Sequence, residues 1–397
     1  MPSHARTPRG RASRTRIVDA AIELFLDPGY HATSLRDIAA HSGITHAGLL
    51  RHYPSKAAVL EAVLTVLDQR MPAGRERGAP TMEPLQEYAR QLSAAPAALA
   101  LIATAYGEAS APEHPAHAYM LARHQRRMKV SEGHFLGRSD LGANRDPLID
   151  ARVFIATWHG LQVMSLFAPD EIDIVDLVGQ YSRGLARSHN REPGATLPPQ
   201  PEPPAPTDRE GRVLAAAIDL FARSGFGDTA MRDIAAASGV AKSSIFEDFS
   251  SKEALLEAVL ASRDASNEVE LAEAAATSVR DALVLAARRS TATHSARVFH
   301  DATVLICHEA SAPSHPAHPI VALRLAALRA HFGALLDLAR TQGSLPPEAT
   351  DGVDATMLAG LWLGLRVQAL YEPDLVDAGT LFADYVAGML APVTPAR

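Results

Sequence analysis

Hydrogen-bond donors and cations are concentrated in one short stretch near the N-terminus. Residues 33–56 read TSLRDIAAHSGITHAGLLRHYPSK, in which hydroxyl groups, imidazoles, arginines and a lysine recur at short intervals. Side chains of these types bind phosphate oxygens and the edges of nucleic-acid bases. The candidate contact residues in this stretch are Thr33, Arg36, Thr45, His46, Ala47, Gly48, Arg51, His52, Tyr53 and Lys56.

The same stretch predicts two short helices joined by a tight turn. Apolar residues recur at helical spacing between Ser34 and His41. Gly43 follows where a helix must end in a left-handed conformation, and Thr45 can cap a second helix through its hydroxyl group. Ser55 can cap the helix after that. This pattern indicates a helix-turn-helix, which places its second helix in the major groove of DNA.

This stretch occurs twice in the chain. Residues 16–64 align without a gap on residues 212–260, so that GYHATSLRDIAAHSGI is matched by GFGDTAMRDIAAASGV and SKAAVLEAVL by SKEALLEAVL. Two gapless copies of this length indicate a duplication. Ser34 is matched by Ala230, so we expect the shared Thr33 and Thr229 to be the N-caps of the first short helix. The candidates in the second copy are Thr229, Lys242, Ser243, Ser244, Phe246 and Lys252.

Both copies resemble the N-terminal DNA-binding domain of the TetR family of bacterial transcription regulators. The motif is AAIELF…GY…TSLRDIA…SGI…PSK in the first copy and AAIDLF…GF…TAMRDIA…SGV…SSK in the second. The resemblance implies an all-α fold of two tandem TetR-like units. Each unit would have an N-terminal three-helix helix-turn-helix domain followed by a helical ligand-binding and dimerisation domain. It also implies that Thr33 and Thr229 meet DNA phosphates.

The two copies differ where the resemblance places contacts with DNA. The recognition helix of the family ends aromatic-x-His-aromatic, and its Tyr hydroxyl group and His meet phosphates. The first copy reads LRHY at residues 50–53, which keeps the His and adds an Arg, whereas the second reads FEDF at residues 246–249. The capping Thr45 is replaced by Ala241, a poor N-cap that costs about 1 kcal/mol. We therefore predict that the first copy binds DNA more strongly than the second.

Charge supports the same asymmetry. The whole chain has a net charge of −7, so contact with DNA must come from local patches. Residues 1–70 carry nine Lys and Arg and six Asp and Glu, a net charge of +3. Residues 207–263 carry seven and nine, a net charge of −2. Neutralisation of phosphates supplies much of the affinity for DNA.

The chain is long enough, at 397 residues, for at least two domains. The Arg-rich residues 1–14 should be disordered alone, as a solvated tail or, in our preferred interpretation, as an arm that meets phosphates or a minor groove. Residues 190–207, NREPGATLPPQPEPPAPT, form a Pro-rich linker that favours polyproline II. The predicted boundaries are 1–56 for the arm and helix-turn-helix domain 1, 57–189 for ligand-binding and dimerisation domain 1, 190–207 for the linker, 208–252 for helix-turn-helix domain 2 and 253–397 for ligand-binding and dimerisation domain 2.

Composition narrows the cellular setting. The single cysteine, Cys307, excludes a disulfide framework and a cysteine-based zinc site. No apolar run approaches the roughly 20 residues of a membrane helix, and the N-terminus lacks the apolar region of a signal peptide. We expect a cytoplasmic protein without a cofactor.

A second set of candidates lies in the segments that follow each helix-turn-helix. Here too the halves correspond: YGEASAP at residues 106–112 is matched by CHEASAP at 307–313, and WHGLQ at 158–162 by WLGLR at 362–366. The resemblance implies a small-molecule pocket between these helices, but core and interface packing is the favoured interpretation for any single residue. The set is Tyr106, Glu108, Phe154, Trp158, Gln162, Glu309, Trp362 and Arg366, with Cys307 as a further counterpart.

The sequence contains little that is typical of a metal site or a catalytic site. Glu108, His114 and His117 hint at a metal site, but their spacing is not typical of one. Pro115 lies between the two histidines, so helix termination is the simpler explanation. We predict no metal, and no catalytic arrangement of Ser, His and Asp or of Cys and His stands out.

The sequence therefore predicts a DNA-binding transcription regulator, a ligand-responsive repressor of double-stranded operator DNA with an unknown small-molecule effector. In the resembling family, the last two helices of each subunit pair into a four-helix bundle. Apolar faces at residues 153–167 and 356–371, with Gly160 and Gly364 permitting close approach, suggest that the two halves pair as a pseudo-dimer within one chain. A homodimer of whole chains remains open. Two alternatives are a sensing or scaffolding module whose second helix-turn-helix is degenerate, and an enzyme on a helical scaffold.

Overall fold

The computed structural model describes residues 8–26, 30, 33–70, 83–112, 114, 116–136, 146–185, 201–262, 274–345 and 353–390. The regular structure of these residues is helical, which confirms the all-α prediction. In the first half the helices are α1 (Pro8–Leu24), α2 (Leu35–His41), α3 (His46–His52), α4 (Lys56–Arg70), α5 (Glu83–Ser93), α6 (Pro96–Glu108), α7 (His117–Leu136), α8 (Pro147–Phe167) and α9 (Ile174–Leu185).

The second half repeats this order of helices. Its helices are α10 (Arg209–Asp228), α11 (Met231–Ser238), α12 (Lys242–Asp248), α13 (Lys252–Ala261), α14 (Val279–Ala292), α15 (His294–Glu309), α16 (His318–Thr341), α17 (Val353–Tyr371) and α18 (Ala378–Met389). We call α1–α3 the first head and α10–α12 the second head.

Each head is held together by one fully buried aliphatic side chain from each of its three helices. The two triads occupy equivalent positions under the offset of the duplication, so both heads have the same core. They are Ile17, Ile38 and Leu49 in the first head and Val213, Ile234 and Ile245 in the second.

The turns of the two heads follow the prediction. Gly43 and Gly239 both have φ of +67°, a conformation that other residues rarely adopt. Thr45 accepts a hydrogen bond from the backbone N–H of Gly48 at 3.1 Å, so it is the N-cap of α3. Ser55 likewise accepts from the backbone N–H of Ala58 at the start of α4.

Helix α1 begins at Pro8, inside the Arg-rich stretch. The prediction of disorder for residues 1–14 is therefore wrong for residues 8–14, and residues 1–7 lie outside the described residues. A long-range contact explains the difference. The Arg14 guanidinium donates a hydrogen bond to the carbonyl oxygen of His52 at 3.1 Å and lies 5.1 Å from the ring centroid of Tyr53.

Behind the heads, two pairs of helices make the main contact between the halves. Helix α8 packs along α17, and α6 packs against α15. The last helix of each half packs chiefly inside its own half, α9 against α5 and α18 against α14. The expected bundle of the last two helices of each half is therefore formed only in part: α8 and α17 pair, α9 also contacts α17 of the other half, and α18 packs chiefly against α14.

The closest approach between the halves lies at small residues. A Cβ atom built on Gly160 of α8 would clash with the backbone of Gly360 on α17, and one built on Gly364 would clash with the backbone of Ala156. Gly160 and Gly364 therefore permit close approach, as predicted. The backbones of α8 and α17 touch at both crossings.

The described end of the linker is non-helical and exposed. Residues 201–207 lead to Asp208, which is the N-cap of α10. The carboxylate of Glu202 accepts hydrogen bonds from the backbone N–H groups of His294 and Ser295, at 2.9 and 2.8 Å. The linker thus contacts the first turn of α15, while residues 190–200 lie outside the described residues.

Helix α16 is long and apolar enough to cross a membrane, judged by length and composition over the described residues. The expectation that no such run exists is therefore wrong, because this Ala- and Leu-rich segment contains few charges. A single helix of this kind is weak evidence for a membrane span. Val321, Leu325 and Phe332 of α16 are buried, although only 28% of its apolar window is buried.

Candidate nucleic-acid interface

The outer face of α3 presents the predicted side chains to solvent. Thr45, His46, Ala47 and Arg51 are exposed, and Gly48 is half-buried beside its cap. The Nε atom of Arg51 donates to the carbonyl oxygen of Ala47, one turn earlier. On α2, Arg36 is also exposed. These groups form a continuous polar face that can meet phosphates and base edges.

The C-terminal end of α3 is fixed against the first head. Tyr53 is buried and ends α3, and burial raises the pKa of its hydroxyl group. His52 is half-buried, and its carbonyl oxygen accepts from Arg14. Arg14 therefore adds a cation at this end of the recognition helix, a contribution that sequence separation hid from the sequence analysis.

The outer face of α12 has a different chemistry. Ala241 begins the helix without a side-chain cap, as predicted. Lys242 and Ser243 are exposed and Ser244 is half-buried. The ammonium group of Lys242 lies 5.6 Å from the ring centroid of Phe246, whose side chain is 43% exposed. An exposed aromatic ring with a cation over it can contact a sugar or a base. The outer face of α12 nevertheless carries less positive charge than that of α3.

The two acids of α12 are paired within the second head. Asp248 forms an ion pair with Arg209, and the carboxylate of Glu247 lies 3.8 Å from the same guanidinium. This pairing reduces the repulsion that the acids would exert on phosphates. Arg209 lies 39 residues from Asp248, so no local pattern in the sequence could indicate it.

The two threonines do not have the role that was predicted. The N-cap of α2 is Ser34, which forms a capping box with Asp37, and the N-cap position of α11 is Ala230. Thr33 and Thr229 are buried, and their hydroxyl groups donate to carbonyl oxygens at the ends of α1 and α10. Hydroxyl groups used in this way cannot meet phosphates in this conformation, so that assignment is corrected.

The two lysines serve the fold of the heads rather than a free cationic surface. The Lys252 ammonium group donates to the carbonyl oxygens of Phe226 and Thr229 at 2.8 and 3.0 Å, and lies 4.2 Å from the Phe226 ring centroid. Lys56 lies at the same distance from the ring of Tyr30. Burial lowers the pKa of both lysines. Lys252 therefore stabilises the loop before α11, and phosphate binding by Lys252 is corrected.

The two heads are also compared with known proteins. The model of a family described as bacterial regulatory proteins, tetR family, matches residues 17–63 and 213–259. Both heads are tetR-family domains. The tandem arrangement inferred from the duplication is thereby confirmed.

Relatives with tetR-like heads are named as regulators. The chain is 43% identical over 65 residues to the HTH-type transcriptional repressor Rv3405c of Mycobacterium tuberculosis, a match over 16% of this chain and 35% of the relative. It is 35% identical over 65 residues to the HTH-type transcriptional regulator UidR of Escherichia coli, over 16% and 33% of the two chains. The chain thus spans about a third of the length of the curated relatives it matches, which is the length of one head and a little more.

Behind the second tetR-family head, the structure has a cavity of about 590 Å³. Three of the predicted ligand candidates, Cys307, Trp362 and Arg366, line it. Burial raises the pKa of the Cys307 thiol to about 12, so the thiol stays neutral. The lining also includes His300, Ser290 and Arg324, which the sequence did not single out because they lie outside the matched motifs.

The candidates in the first half lie in the packed core instead. Tyr106, Trp158 and Gln162 are buried, and Phe154 is half-buried with its ring 6.0 Å from that of Phe135. The Tyr106 hydroxyl group lies 2.5 Å from Nδ1 of His124. Core packing was the favoured interpretation for any single residue, and it describes these four.

Glu309 connects the body of the second half to the second head. Its carboxylate accepts hydrogen bonds from the backbone N–H groups of Phe226 and Gly227 at 2.6 and 2.5 Å. It does not line the cavity, so its assignment as a ligand residue is corrected. Glu108, its counterpart, is half-buried, and its charge favours the ammonium form of Lys56.

The histidines of the suspected metal motif stabilise a turn. The Nδ1 atom of His117 donates to the carbonyl oxygen of Ala109, and that of His318 to Ala310, both at 2.8 Å. The same turn therefore forms in both halves. Across the part of the chain that the structure describes, no cluster of three or more His, Cys, Asp and Glu side chains is placed to hold a metal ion.

Proposed function

We propose that this chain is a DNA-binding transcription regulator, a ligand-responsive repressor, whose two fused halves pair as an intramolecular pseudo-dimer. The exposed outer faces of two tetR-family recognition helices on one polypeptide support the DNA-binding role. The effector is a small molecule, and the location is the cytoplasm, where a bacterial chromosome can be reached. The family description as regulatory proteins supports a non-catalytic role.

One relationship carries the pseudo-dimer. The motif alignment makes Gly160 equivalent to Gly364 and Ala156 equivalent to Gly360. Gly160 contacts Gly360, and Gly364 contacts Ala156, so exchanging the halves maps one contact onto the other. In a two-fold symmetric dimer every contact has this reciprocity. This reciprocity supports a pseudo-dimer in which the chain reproduces within itself the interface of a symmetric dimer.

A second contact has the same symmetry. Gly107 of α6 packs against His308 of α15, and these two residues are equivalent in the alignment. Contact between equivalent residues occurs where a two-fold axis passes between them. Polar bonds across the interface add to the packing: the Tyr371 hydroxyl group donates to the carbonyl oxygen of Tyr106 at 2.6 Å, and Arg152 pairs with Glu372 at 2.6 Å.

The test combines solution mass with DNA selection. Light scattering should give a mass near 42.3 kDa, and duplexes selected from a random pool by the full chain should contain two half-sites recognised by one chain. A stable dimer of about twice 42.3 kDa, or selected duplexes with a single half-site, would contradict the pseudo-dimer. If the chain enriched no DNA sequence from the pool, the proposed role as a DNA-binding regulator would be contradicted.

A second candidate is a regulator whose second head has lost specific binding. The observation that favours it is the chemistry of α12, which begins at Ala241 without a side-chain cap and carries Glu247 and Asp248. Such a protein would select one half-site, and its binding would depend strongly on salt without a second preferred sequence.

A further inference from the structure

The cavity of the second half has an apolar wall and a buried cation. It lies between α13, α14, α15, α16, α17 and α18, and its wall includes Leu283, Val304, Leu325, Phe332 and Phe382. A volume of about 590 Å³ lies within the range of sites that hold small organic molecules. Such sites combine an apolar wall with a few polar groups that fix the orientation of the ligand.

The polar group that stands out is Arg366. It is 3% exposed and lines the cavity, its guanidinium lies 4.5 Å from the ring centroid of Trp362, and it donates to the Ser290 hydroxyl group. Its Nε atom has no hydrogen-bond partner, and within the described residues Arg366 forms no ion pair. A buried charge without a counter-charge is strongly unfavourable.

The nearest acids do not supply that counter-charge. Asp301 and Asp377 act on Arg366 only through their more distant charges. Burial raises the pKa of Asp301 to about 6, so this carboxylate is itself disfavoured by its surroundings and begins to lose its charge just below neutral pH. Burial also lowers the pKa of Arg366 to about 10, as expected for a cation that lacks a close anion.

We propose that the cavity binds an apolar organic carboxylate whose anionic group pairs with Arg366 and whose apolar part lies along the aliphatic wall. The regulatory consequence of this binding rests on the function proposed above. A guanidinium suits a carboxylate because its N–H groups match the carboxylate oxygens in geometry and charge. The apolar wall favours a hydrocarbon chain or ring over a sugar or an amino acid.

The site is specific to the second half. At the position of Arg366 the first half has Gln162, which is buried, and at the position of Cys307 it has the much larger Tyr106. The duplicated units therefore differ at Arg366, the buried charged group that is proposed to select the anion. One chain would respond to one carboxylate, through the second half.

The cavity is also connected to the second head. Leu260 and Glu257 of α13 line it, and Arg324, another lining residue, donates to the carbonyl oxygen of Leu260 at 3.1 Å. Helix α15 supplies Val304 and Cys307 to the wall and ends at Glu309, which binds the backbone of the second head. A carboxylate in the cavity would therefore contact both connections to the second head.

The test uses decanoate and 1-decanol, which share a ten-carbon chain and differ in charge. Calorimetric titration of the full chain should show decanoate binding about tenfold or more tightly than 1-decanol, the effect of one charge-assisted contact. Arg366→Gln, which introduces the residue of the first half, should remove that preference and leave the affinity for 1-decanol unchanged. Equal affinity of the natural chain for both probes, or no binding of either, would overturn the proposal.

Two further variants keep the result interpretable. Ala286→Phe fills the cavity and should lower the affinity for both probes while leaving Arg366 in place. Circular dichroism of Arg366→Gln establishes that it folds, and Arg366→Lys, which retains a cation, should retain part of the preference for decanoate. Decanoate binding to Ala286→Phe with the natural affinity would place the site elsewhere and overturn the proposal.

Failure of this proposal is separable from failure of the proposed function. The titration uses the free chain and needs no DNA, so Arg51→Ala should bind decanoate with the natural affinity. A chain that binds decanoate through Arg366 and selects no DNA would support the carboxylate site and contradict the regulator. A chain that selects DNA and does not distinguish the two probes would support the regulator and contradict the carboxylate site.

Discussion

The Nε2 atoms of His159 and His308 lie 2.7 Å apart across the contact between the two halves. Both side chains are buried, and their rings stack with centroids 5.0 Å apart. The Nδ1 atom of His308 donates to the carbonyl oxygen of Val304, so its Nε2 accepts a hydrogen bond from His159 when both rings are neutral. This hydrogen bond is lost when His308 is protonated, because both of its ring nitrogens then carry a proton.

Acid should therefore destabilise the protein through this pair. Burial lowers the pKa of His159 well below its ordinary value, with the neighbouring His308 second in effect, and burial lowers that of His308 to about 4. The unfolded chain binds protons near pH 6.5, so stability is complete above that pH and is lost as pH falls toward about 4. Each histidine contributes a slope of up to about 1.4 kcal/mol per pH unit. Urea unfolding between pH 7.5 and pH 5 measures it.

A variant isolates the pair from other acid effects. His159→Leu introduces the residue that the second half has at this position, Leu363, and should flatten the acid side of the profile. His41→Ala, which removes an exposed histidine paired with Glu23, should retain the natural slope. Identical slopes for His159→Leu and the natural chain would contradict this assignment.

The glycine crossing of α8 and α17 gives a second prediction. A Cβ atom at Gly364 would meet the backbone of Ala156, which cannot move as a flexible side chain can. Gly364→Ala should therefore destabilise the chain by about 1–3 kcal/mol, despite the better helix propensity of Ala. Chemical denaturation measures the difference.

Gly133 offers a matched control for that variant. It also lies inside a helix, α7, but a Cβ atom there would meet nothing within 4 Å. Gly133→Ala should stabilise the chain by about 0.5–1 kcal/mol. If both variants changed the free energy of unfolding in the same direction, the close crossing of α8 and α17 would not be a determinant of stability.

Local patterns in the sequence predicted the heads and most helix ends. Gly43 and Thr45 act within a few residues of themselves, and Ser55 caps α4 as its position indicated. The duplication supplied the tandem arrangement, and the resemblance supplied the family. These features depend on short-range geometry, which residue identity largely sets.

The contacts that sequence reasoning missed join distant residues. Lys252 could be assigned to phosphate only while its loop carbonyl partners were unknown, and Thr33 looked like a cap because its burial was not visible in one sequence. Glu309 was assigned to the ligand, whereas it binds amides 82 and 83 residues away. Pairings of this kind are set by tertiary packing, and one sequence without an alignment gives no signal for them.

The bonds of Glu309 give a third prediction. Glu309→Gln keeps the shape of the side chain but provides a single acceptor oxygen for the two amides of Phe226 and Gly227. Loss of a charge-assisted bond that leaves a buried donor costs about 1–3 kcal/mol, so the second head should open locally more often. Hydrogen exchange at these two amides should accelerate, whereas exchange in the first head should not change.

The control for this variant is Glu210→Gln. Glu210 is an exposed acid in the first turn of α10, distant in sequence from the Glu309 contact. Its substitution should change exchange at Phe226 and Gly227 little, since a first-turn acid contributes about 0.3–1 kcal/mol to the helix end. Unchanged exchange in Glu309→Gln would show that Glu309 is not needed to hold the loop.

The difference between α3 and α12 gives the last prediction. Arg51 is an exposed cation on α3 and is followed by His52, whereas Lys242 lies on a helix that also carries Glu247 and Asp248. Arg51→Ala should therefore reduce affinity for a selected duplex more than Lys242→Ala, and should lower the slope of log affinity against log salt by about one. Fluorescence anisotropy titration at several salt concentrations measures both the affinity and its salt dependence.

The control is Arg223→Ala, which removes an exposed Arg paired with Asp219 on α10 and should change neither quantity. Equal losses for Arg51→Ala and Lys242→Ala would mean that both heads bind alike, because the charge difference between the recognition helices would then have no effect on phosphate contact.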